Sequence, residues 1–450
     1  MSDNASLHVI IAGGGIGGLA LAHGLRGAGV SVAVYERDRH RTDRLQGFRI
    51  HISPRGSRAL HELLPAHLYR AFVAGAGNMD REFGFGFATE QLDMLLELDM
   101  DAIEGATTGD DVDRNFGVSR ITLRQVLLSD LDGIVHYDKA ITGYRRLDDG
   151  RVEAQFADGT TAVGDVLVGA DGATSRVRAQ LLPHAERVDT GIACIAGKYM
   201  LTPEGRQRLA PRLQVAPVSV MPARTGGMFV APHVFEKPDS ALGGIGGNDG
   251  AAELNPGALF DNTEPYVLWS YAARRSDYPV DRELDSLEPK ELQDLADRLT
   301  AEWSPELREL ITGTAPETVT LLPIRTSVPV PAWETTNVTL LGDAIHSMTP
   351  FRGIGANVAL RDAHELRDRL VAVARGEREL LNALHEYEAE MIGYGFAAVR
   401  ASLKTAEQSV STSRVGRALG RTMFRVVEAI PPLKRKMFGG LGTEPKTADA

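Results

Sequence analysis

His8-Val9-Ile10-Ile11-Ala12-Gly13-Gly14-Gly15-Ile16-Gly17-Gly18-Leu19 decides the fold. Its first five residues, mostly apolar and β-branched, read as a short buried parallel strand. Gly13, Gly15 and Gly18 fill the three positions of a G-x-G-x-x-G turn. Gly13 makes the tight turn, Gly15 lets the backbone approach a pyrophosphate, and Gly18 lets helix and strand pack closely. The helix that follows, from Leu19 to Leu25, opens with unpaired N–H groups and a partial positive charge that suit phosphate. Gly27 and Gly29 end it, and Val30 to Tyr35 form the next strand. Glu36 closes that strand, eighteen residues after Gly18, where a carboxylate takes ribose hydroxyls. Strand, turn, helix, strand and terminal acid together predict a dinucleotide site, without saying which dinucleotide.

Two later stretches repeat the theme of a strand ending in glycine and aspartate. Asp165-Val166-Leu167-Val168-Gly169-Ala170-Asp171-Gly172 leads to a helix beginning near Ser175 and carrying Arg176 and Arg178. Val338-Thr339-Leu340-Leu341-Gly342-Asp343-Ala344-Ile345-His346 leads through Pro350, Phe351, Gly353 and Gly355 into a long helix from about Ala356 to Ala374, with Asn357 in its first turn. A carboxylate at the end of a buried strand can accept bonds from a polyol chain, and a helix start after Gly353-Ile354-Gly355 can turn its dipole toward a bound ring. Read alone, Asp171 could be a helix cap, Arg120 a surface residue and His346 a structural histidine; Arg124 is read as structural.

The three motifs, in this order and spacing, resemble the class A flavoprotein monooxygenases, the family of p-hydroxybenzoate hydroxylase and the tetracycline-modifying monooxygenases. The resemblance covers the organisation from about His8 to Leu370. It implies FAD as cofactor, NADH or NADPH as a transient cosubstrate, and O2. It implies cofactor contacts from Gly13, Gly15, Gly18, Glu36, Arg120, Asp171, Gly342, Asp343, Gly355 and Asn357. In that family reduced flavin traps O2 as a C4a-hydroperoxide and delivers one oxygen atom to the substrate. Pro350 and Gly353 beside the ring, with Arg49 and His51 on a strand beneath it, are the catalytic candidates; period-2 alternation puts Arg49 and His51 on one face. A solvated strand face is the plainer reading of that pair.

Between the second and third motifs the chain changes character. Short β-rich runs (192–201, 213–220, 227–231, 266–271) alternate with Gly- and Pro-rich connections. They resemble the family's substrate domain, a sheet that roofs the flavin. Tyr199, Met221, Phe229, Trp269 and Tyr271 are candidates to line a substrate pocket, sheet packing being the alternative. Gly243-Gly244-Ile245-Gly246-Gly247 has no helical pattern after it and reads as a loop, which leaves no separate nicotinamide domain. Residues 288–311 read as helical with a break at Pro305. The expected fold is α/β: a Rossmann-type FAD-binding domain (1–75, 117–185 and 315–375), a β-sheet substrate domain (76–116 and 186–314) and a C-terminal helical segment (376–450).

Bulk properties narrow the class. At 450 residues, 43% hydrophobic and 24% charged, the chain can bury a large core. A net charge of -11 argues against nucleic acid as a partner. Eight acids and no Lys or Arg lie between Gln91 and Asp113, whereas eight Lys/Arg face two Glu between Ala401 and Gly440. Both runs read first as solvated surface, and otherwise as a pocket rim and a membrane-surface or partner contact. One cysteine, Cys194, permits no internal disulfide, which fits a cytoplasmic setting. The first residues lack the pattern of a signal peptide, no apolar run is long enough to span a bilayer, and no metal site is expected. Trp269, Trp303 and Trp333 lie too far apart for the Gly-Trp-x-Trp-x-Ile-Pro signature of flavin halogenases. The expected activity is oxygen insertion into an aromatic or polycyclic small molecule by a monomer or homodimer. The alternatives are an oxidase or reductase on the same scaffold, and a non-catalytic flavin-binding protein.

Overall fold

The computed structural model describes residues 7–40, 49–76, 84–99, 110, 112–234, 265–280 and 282–438. The Gly243–Gly247 cluster lies outside them.

A five-stranded parallel sheet carries the first motif. Its order places β17 (Val338–Leu340) beside β11 (Val166–Gly169), then β1 (His8–Ala12), β2 (Ser31–Tyr35) and β7 (Val135–His136). The apolar runs fit this role: every residue of β11 and β17 is buried, as parallel strands covered on both faces must be. Helix α1 (Ile16–Gly27) buries Leu19, Leu21 and Leu25 against the sheet and lies against the long helix at Gly355–Ala374. An antiparallel pair, β3 (Arg49–Ile52) and β6 (Phe116–Ser119), stands next to it, with His51 opposite Gly117 and Arg49 opposite Ser119. A three-stranded antiparallel sheet, β8 (Ile141–Arg146), β9 (Val152–Phe156) and β10 (Thr161–Gly164), lies between the first and second motifs in sequence.

The second large sheet has seven strands, in the order β16 (Thr320–Ser327), β12 (Arg187–Met200), β15 (Tyr266–Arg274), β14 (Gly227–His233), β13 (Val218–Val220), β4 (Phe85–Ala88) and β5 (Met94–Leu98). All its pairings are antiparallel except β13 with β4. One face buries Ile195, Tyr199, Val267, Trp269 and Tyr271 beneath two helices, Pro289–Leu299 and Pro305–Thr312. Pro305 breaks the 288–311 helix by starting a new one: it occupies the first turn, and Ser304 accepts from the Leu307 N–H. The run expected as strand from Leu213 to Val220 divides, because Pro211 already holds helical torsions and Arg212–Val215 form a helical turn before the strand.

The tail is helical. Leu380–Ser409 packs on Gly355–Ala374, Arg414–Glu428 lies against β5, and Pro431–Phe438 follows. Among the described residues no helix is long and apolar enough to cross a membrane.

Candidate cofactor and substrate site

The parallel sheet aligns the three motifs at the carboxyl ends of β1, β11 and β17, where open α/β sheets bind ligands. Gly13 has φ +114°, and a Cβ there would fall 2.3 Å from the Ala170 oxygen, so the first and second motifs touch at a point only glycine tolerates. A Cβ at Gly18 would fall as close to the Gly13 oxygen, also at 2.3 Å. Gly15 is different: nothing lies within 4 Å of where its side chain would be. Open space at the start of α1, between two contacts that admit no side chain, fits a pyrophosphate.

Glu36 is buried at the end of β2. Its Oε2 accepts from the Gly14 N–H at 2.7 Å and its Oε1 from the Asp38 N–H at 2.9 Å. Arg124 closes the cluster, donating to the Gly14 oxygen at 3.2 Å and pairing with Asp38 at 3.3 Å and Glu36 at 3.7 Å. Arg120 sits one turn earlier on the same helix (Arg120–Leu128) and is exposed. The guanidinium bound to this corner is Arg124, the residue read as structural in the sequence. Residues four apart share a helix face, and that spacing was the available signal.

Two other cofactor candidates have different work. Asp171 accepts from Ser175 Oγ at 2.5 Å and from the Arg176 and Val177 N–H groups at 2.6 and 3.3 Å. Both its oxygens serve the start of helix Arg176–Leu181, the geometry of a helix cap. Asn357 is fully buried; its Oδ1 accepts from the Ser53 N–H at 2.8 Å and its Nδ2 donates to the His51 oxygen at 3.0 Å. It pins β3 to the long helix and so positions its neighbours.

Gly342 has φ +62° and starts the short helix Asp343–His346, leaving Asp343 exposed. Burial pushes the Arg187 guanidinium down, and the nearby Asp343 charge raises it again. Pro350–Arg352 form a helical turn ending at Gly353, φ +64°, from which Gly355–Ala374 departs. The Nε atoms of both Arg187 and Arg352 are buried without a hydrogen-bond partner. Buried donors left without a partner are costly, so a bound polar group fits here. Beneath the turned segment, Gly342 donates to Asp362 Oδ2 at 2.7 Å, His346 Nε2 meets the same oxygen at 2.7 Å, and Tyr394 donates to Oδ1 at 2.7 Å.

The seven-stranded sheet meets this cradle through Phe351, which packs with Ile192, Cys194, Ala272 and Ile324. That contact identifies the face turned toward the glycine loop. Register puts Ala196, Ser270, Phe229 and Ser219 opposite one another in neighbouring strands of that face. Lys198, His233 and Tyr266 follow on it by alternation, with Lys198 Nζ 5.1 Å from the Tyr266 ring centroid. Arg49 approaches from β3: its guanidinium lies over Gly117, where a Cβ would come within 2.3 Å of Nη2. Burial lowers Arg49 to about 10. Burial also lowers His51 to about 4, against a 2.7 Å hydrogen bond with Asn115 that raises it. Burial, then the Arg49 charge, lowers His233 to about 3. At neutral pH the corner holds the Arg49 charge beside two neutral imidazoles, and the Lys198 ammonium also acts on His233.

Of the five pocket candidates, only Phe229 lies on this face, 38% exposed and stacked on Phe85 with centroids 6.4 Å apart. Tyr199, Trp269 and Tyr271 alternate to the other side. Trp269 Nε1 donates to Thr314 Oγ1 at 2.8 Å, Tyr199 donates to Glu309 at 2.9 Å, and Tyr271 packs on Trp303. They form the core behind the sheet. Met221 lies by the C-terminal helices, its carbonyl accepting from Arg421 Nε at 2.9 Å. Among the described residues, no group of three or more His, Cys, Asp or Glu could hold a metal ion.

Comparison with known proteins agrees with the geometry. Residues 11–71 match the NAD(P)-binding Rossmann-like domain model and residues 271–402 the FAD binding domain model. A crystal structure described as an FAD-containing monooxygenase, from Photorhabdus luminescens, is 32% identical with a TM-score of 0.76, over 90% of this chain and 99% of that one. The dual O-methyltransferase/FAD-dependent monooxygenase CTB3 of Cercospora beticola is 30% identical over 85% of this chain, which spans 44% of that relative's length. The FAD-dependent monooxygenase thnD of Trichoderma harzianum is 28% identical over 91% of this chain and 95% of its own. The first curated relatives are thus more than twice as long as the part matched, while the Photorhabdus structure matches nearly end to end. With the three strand-end motifs converging on one cradle, the chain belongs to the class A flavoprotein monooxygenases.

Proposed function

We infer that the protein is an FAD-dependent, NAD(P)H-consuming monooxygenase that places one oxygen atom from O2 into an aromatic or polycyclic small molecule. The observation that carries this reading is the junction at Phe351, which joins the nucleotide cradle to one face of a large sheet and leaves Arg49, His51 and Gly353 at the seam. A nucleotide-binding protein without a second reactant has no need of such a roof.

FAD, when bound, supplies the redox chemistry and the activation of O2. The protein does the rest. Gly15 and the start of α1 would receive the pyrophosphate, and Glu36 with Arg124 the adenosine ribose region. Asp343 would accept from the ribityl hydroxyls. The start of Gly355–Ala374 offers its dipole to negative charge at the ring, and Pro350 stiffens the loop before Gly353. Arg49 keeps its charge at neutral pH and stabilises an anion at the seam, while neutral His51 and His233 can donate or accept without adding charge. The apolar patch of Ile192, Cys194 and Ala272 excludes water from that side. Phe229, Ser270 and Tyr266 face the substrate's side. NAD(P)H would bind a shared surface near Arg176 and leave after hydride transfer.

The test is a screen of phenolic and polycyclic compounds for stimulated NADH or NADPH oxidation under 18O2, with product mass measured. Incorporation of one labelled atom into a compound supports the reading. NAD(P)H oxidation that yields only peroxide with every compound favours an oxidase or reductase, and no oxidation at all favours a binding protein.

A further inference from the structure

The basic C-terminal segment has a feature that catalysis does not use. Helix Arg414–Glu428 is held to the body on one side: Phe424 stacks on Phe87 with centroids 4.4 Å apart, Val427 is buried, and Arg417 donates to the Pro222 oxygen at 3.1 Å. Arg421 adds an ion pair with Glu90. Its other side carries Val415, Leu419, Met423 and Val426, continued by Ile430 just beyond the helix. Spacings of three and four residues put these on one line. They are exposed, Val415 at 71% and Leu419 at 66%. A soluble helix ordinarily turns one apolar stripe inward; this one has a second turned outward.

The charges beside the stripe say what covers it. Arg414 and Arg425 lie three turns apart and each immediately precedes a stripe valine, so they form a parallel basic line along one flank. Both are exposed, as are Arg435 and Lys436 on the next helix. From Arg414 to Phe438 there are seven Lys/Arg and one Glu, in a chain whose net charge is -11. An apolar stripe flanked by cations is the pattern of a helix lying in the headgroup layer of an anionic membrane. A second copy fits less well. The stripe measures roughly 22 Å by 10 Å from helix dimensions, far below the roughly 800 Å² per partner of a stable dimer. Antiparallel two-fold pairing along it would also bring the basic lines of both copies together.

We propose that Arg414–Glu428 is an interfacial docking helix that seats the protein on an anionic lipid surface, with Val415, Leu419, Met423 and Val426 entering the acyl boundary and Arg414 and Arg425 meeting the headgroups. Because the helix is bolted to β4 and β5, the seated molecule holds the edge of the large sheet against the membrane.

The test uses the full-length, FAD-loaded protein and phosphatidylcholine vesicles with and without phosphatidylglycerol, read by co-sedimentation. Binding should require phosphatidylglycerol and weaken with salt. Arg414→Gln and Arg425→Gln should each weaken it about fivefold, the factor for about 1 kcal/mol per surface cation. Leu419→Asp should abolish it while FAD content and melting temperature stay unchanged. Cys194 is buried, so Leu419→Cys supplies a single reactive thiol for an environment-sensitive dye, whose emission should shift blue on anionic vesicles. No binding to anionic vesicles, or full binding by Leu419→Asp, overturns the proposal. A Leu419→Cys thiol inert in the lipid-free protein overturns it by showing that the stripe is already covered. Dimers in sedimentation that Leu419→Asp dissolves overturn it in favour of a second copy.

Discussion

Replacing Asp362 with Asn should unsettle the turn that presents Asp343, in a way that depends on pH. Asp362 is fully buried and holds three groups at 2.7 Å: the Gly342 N–H, His346 Nε2 and the Tyr394 hydroxyl. Burial alone would lower His346, but the Asp362 charge and hydrogen bond, with Asp343 nearby, raise it above its ordinary value of 6.5. A raised imidazolium stabilises the fold fully below the unfolded-state value of about 6.5, and that contribution fades as pH climbs through the folded value. Asp362→Asn keeps an acceptor for Gly342 and removes the charge. Losing one partner of a buried ion pair costs roughly 3–5 kcal/mol. The variant should therefore unfold at markedly lower urea than the parent at pH 6, and the gap should narrow toward pH 9 as His346 gives up its proton in the parent. FAD affinity should fall with it, because Gly342 at φ +62° is fixed from below by this carboxylate. Urea titrations followed by tryptophan fluorescence at the two pH values, with FAD titration of the apoprotein, provide the measurement. A gap between variant and parent that is the same at both pH values would refute the charged-pair reasoning, and unchanged FAD affinity would refute the link to the turn.

Asp343→Ala should weaken FAD by roughly 1–3 kcal/mol, the cost of unpaired hydroxyls, with little change in apoprotein melting because the side chain is exposed. Glu36→Arg should weaken FAD, seen by fluorescence titration, and should also destabilise the apoprotein, since the Gly14 and Asp38 N–H groups lose their acceptor and a second guanidinium meets Arg124. Gly117→Ala places a methyl 2.3 Å from Arg49 Nη2, so the guanidinium must move; NAD(P)H-dependent turnover should drop about tenfold or more while the melting temperature hardly changes, the clash being with a flexible side-chain end. Arg176→Ala should slow anaerobic flavin reduction by NAD(P)H in stopped flow more than it weakens FAD, because Arg176 offers only its backbone N–H to Asp171.

The nucleotide cradle was legible because it is local. Gly13, Gly15 and Gly18 sit between a strand and a helix that contiguous residues specify, and Glu36 is placed by the next strand. The substrate side was not, because alternation says which residues share a face but not which face meets the cradle. The clue was present in polarity: Lys198 and Ser270 alternate with Tyr199, Trp269 and Tyr271, and the aromatic set went to the closed core beneath two helices. In sequence Asn357 looks like a cofactor contact and Asp362 like an ordinary helix residue. Their work is to hold Ser53 and Gly342, contacts that only tertiary structure creates. Asp171 shows the converse, a motif residue whose neighbourhood needs both its oxygens locally.

The strand order of the parallel sheet also bears on how the chain comes off the ribosome. β1 is separated from β17 by about 330 residues, yet only β11 stands between them. At roughly 5–20 residues per second of synthesis, the glycine turn at Gly13–Gly18 exists for roughly 20 to 60 s before Gly342 and Asp343 emerge to complete the cradle. For about the second half of that interval, once it has emerged, Val166–Gly169 has no neighbour on its outer side, an unpaired apolar edge open to the wrong strand. A ribosome-stalled chain ending before Val338 should therefore be held by chaperones and be unable to retain FAD, whereas one extended past Ala374 should acquire both protease resistance and yellow colour.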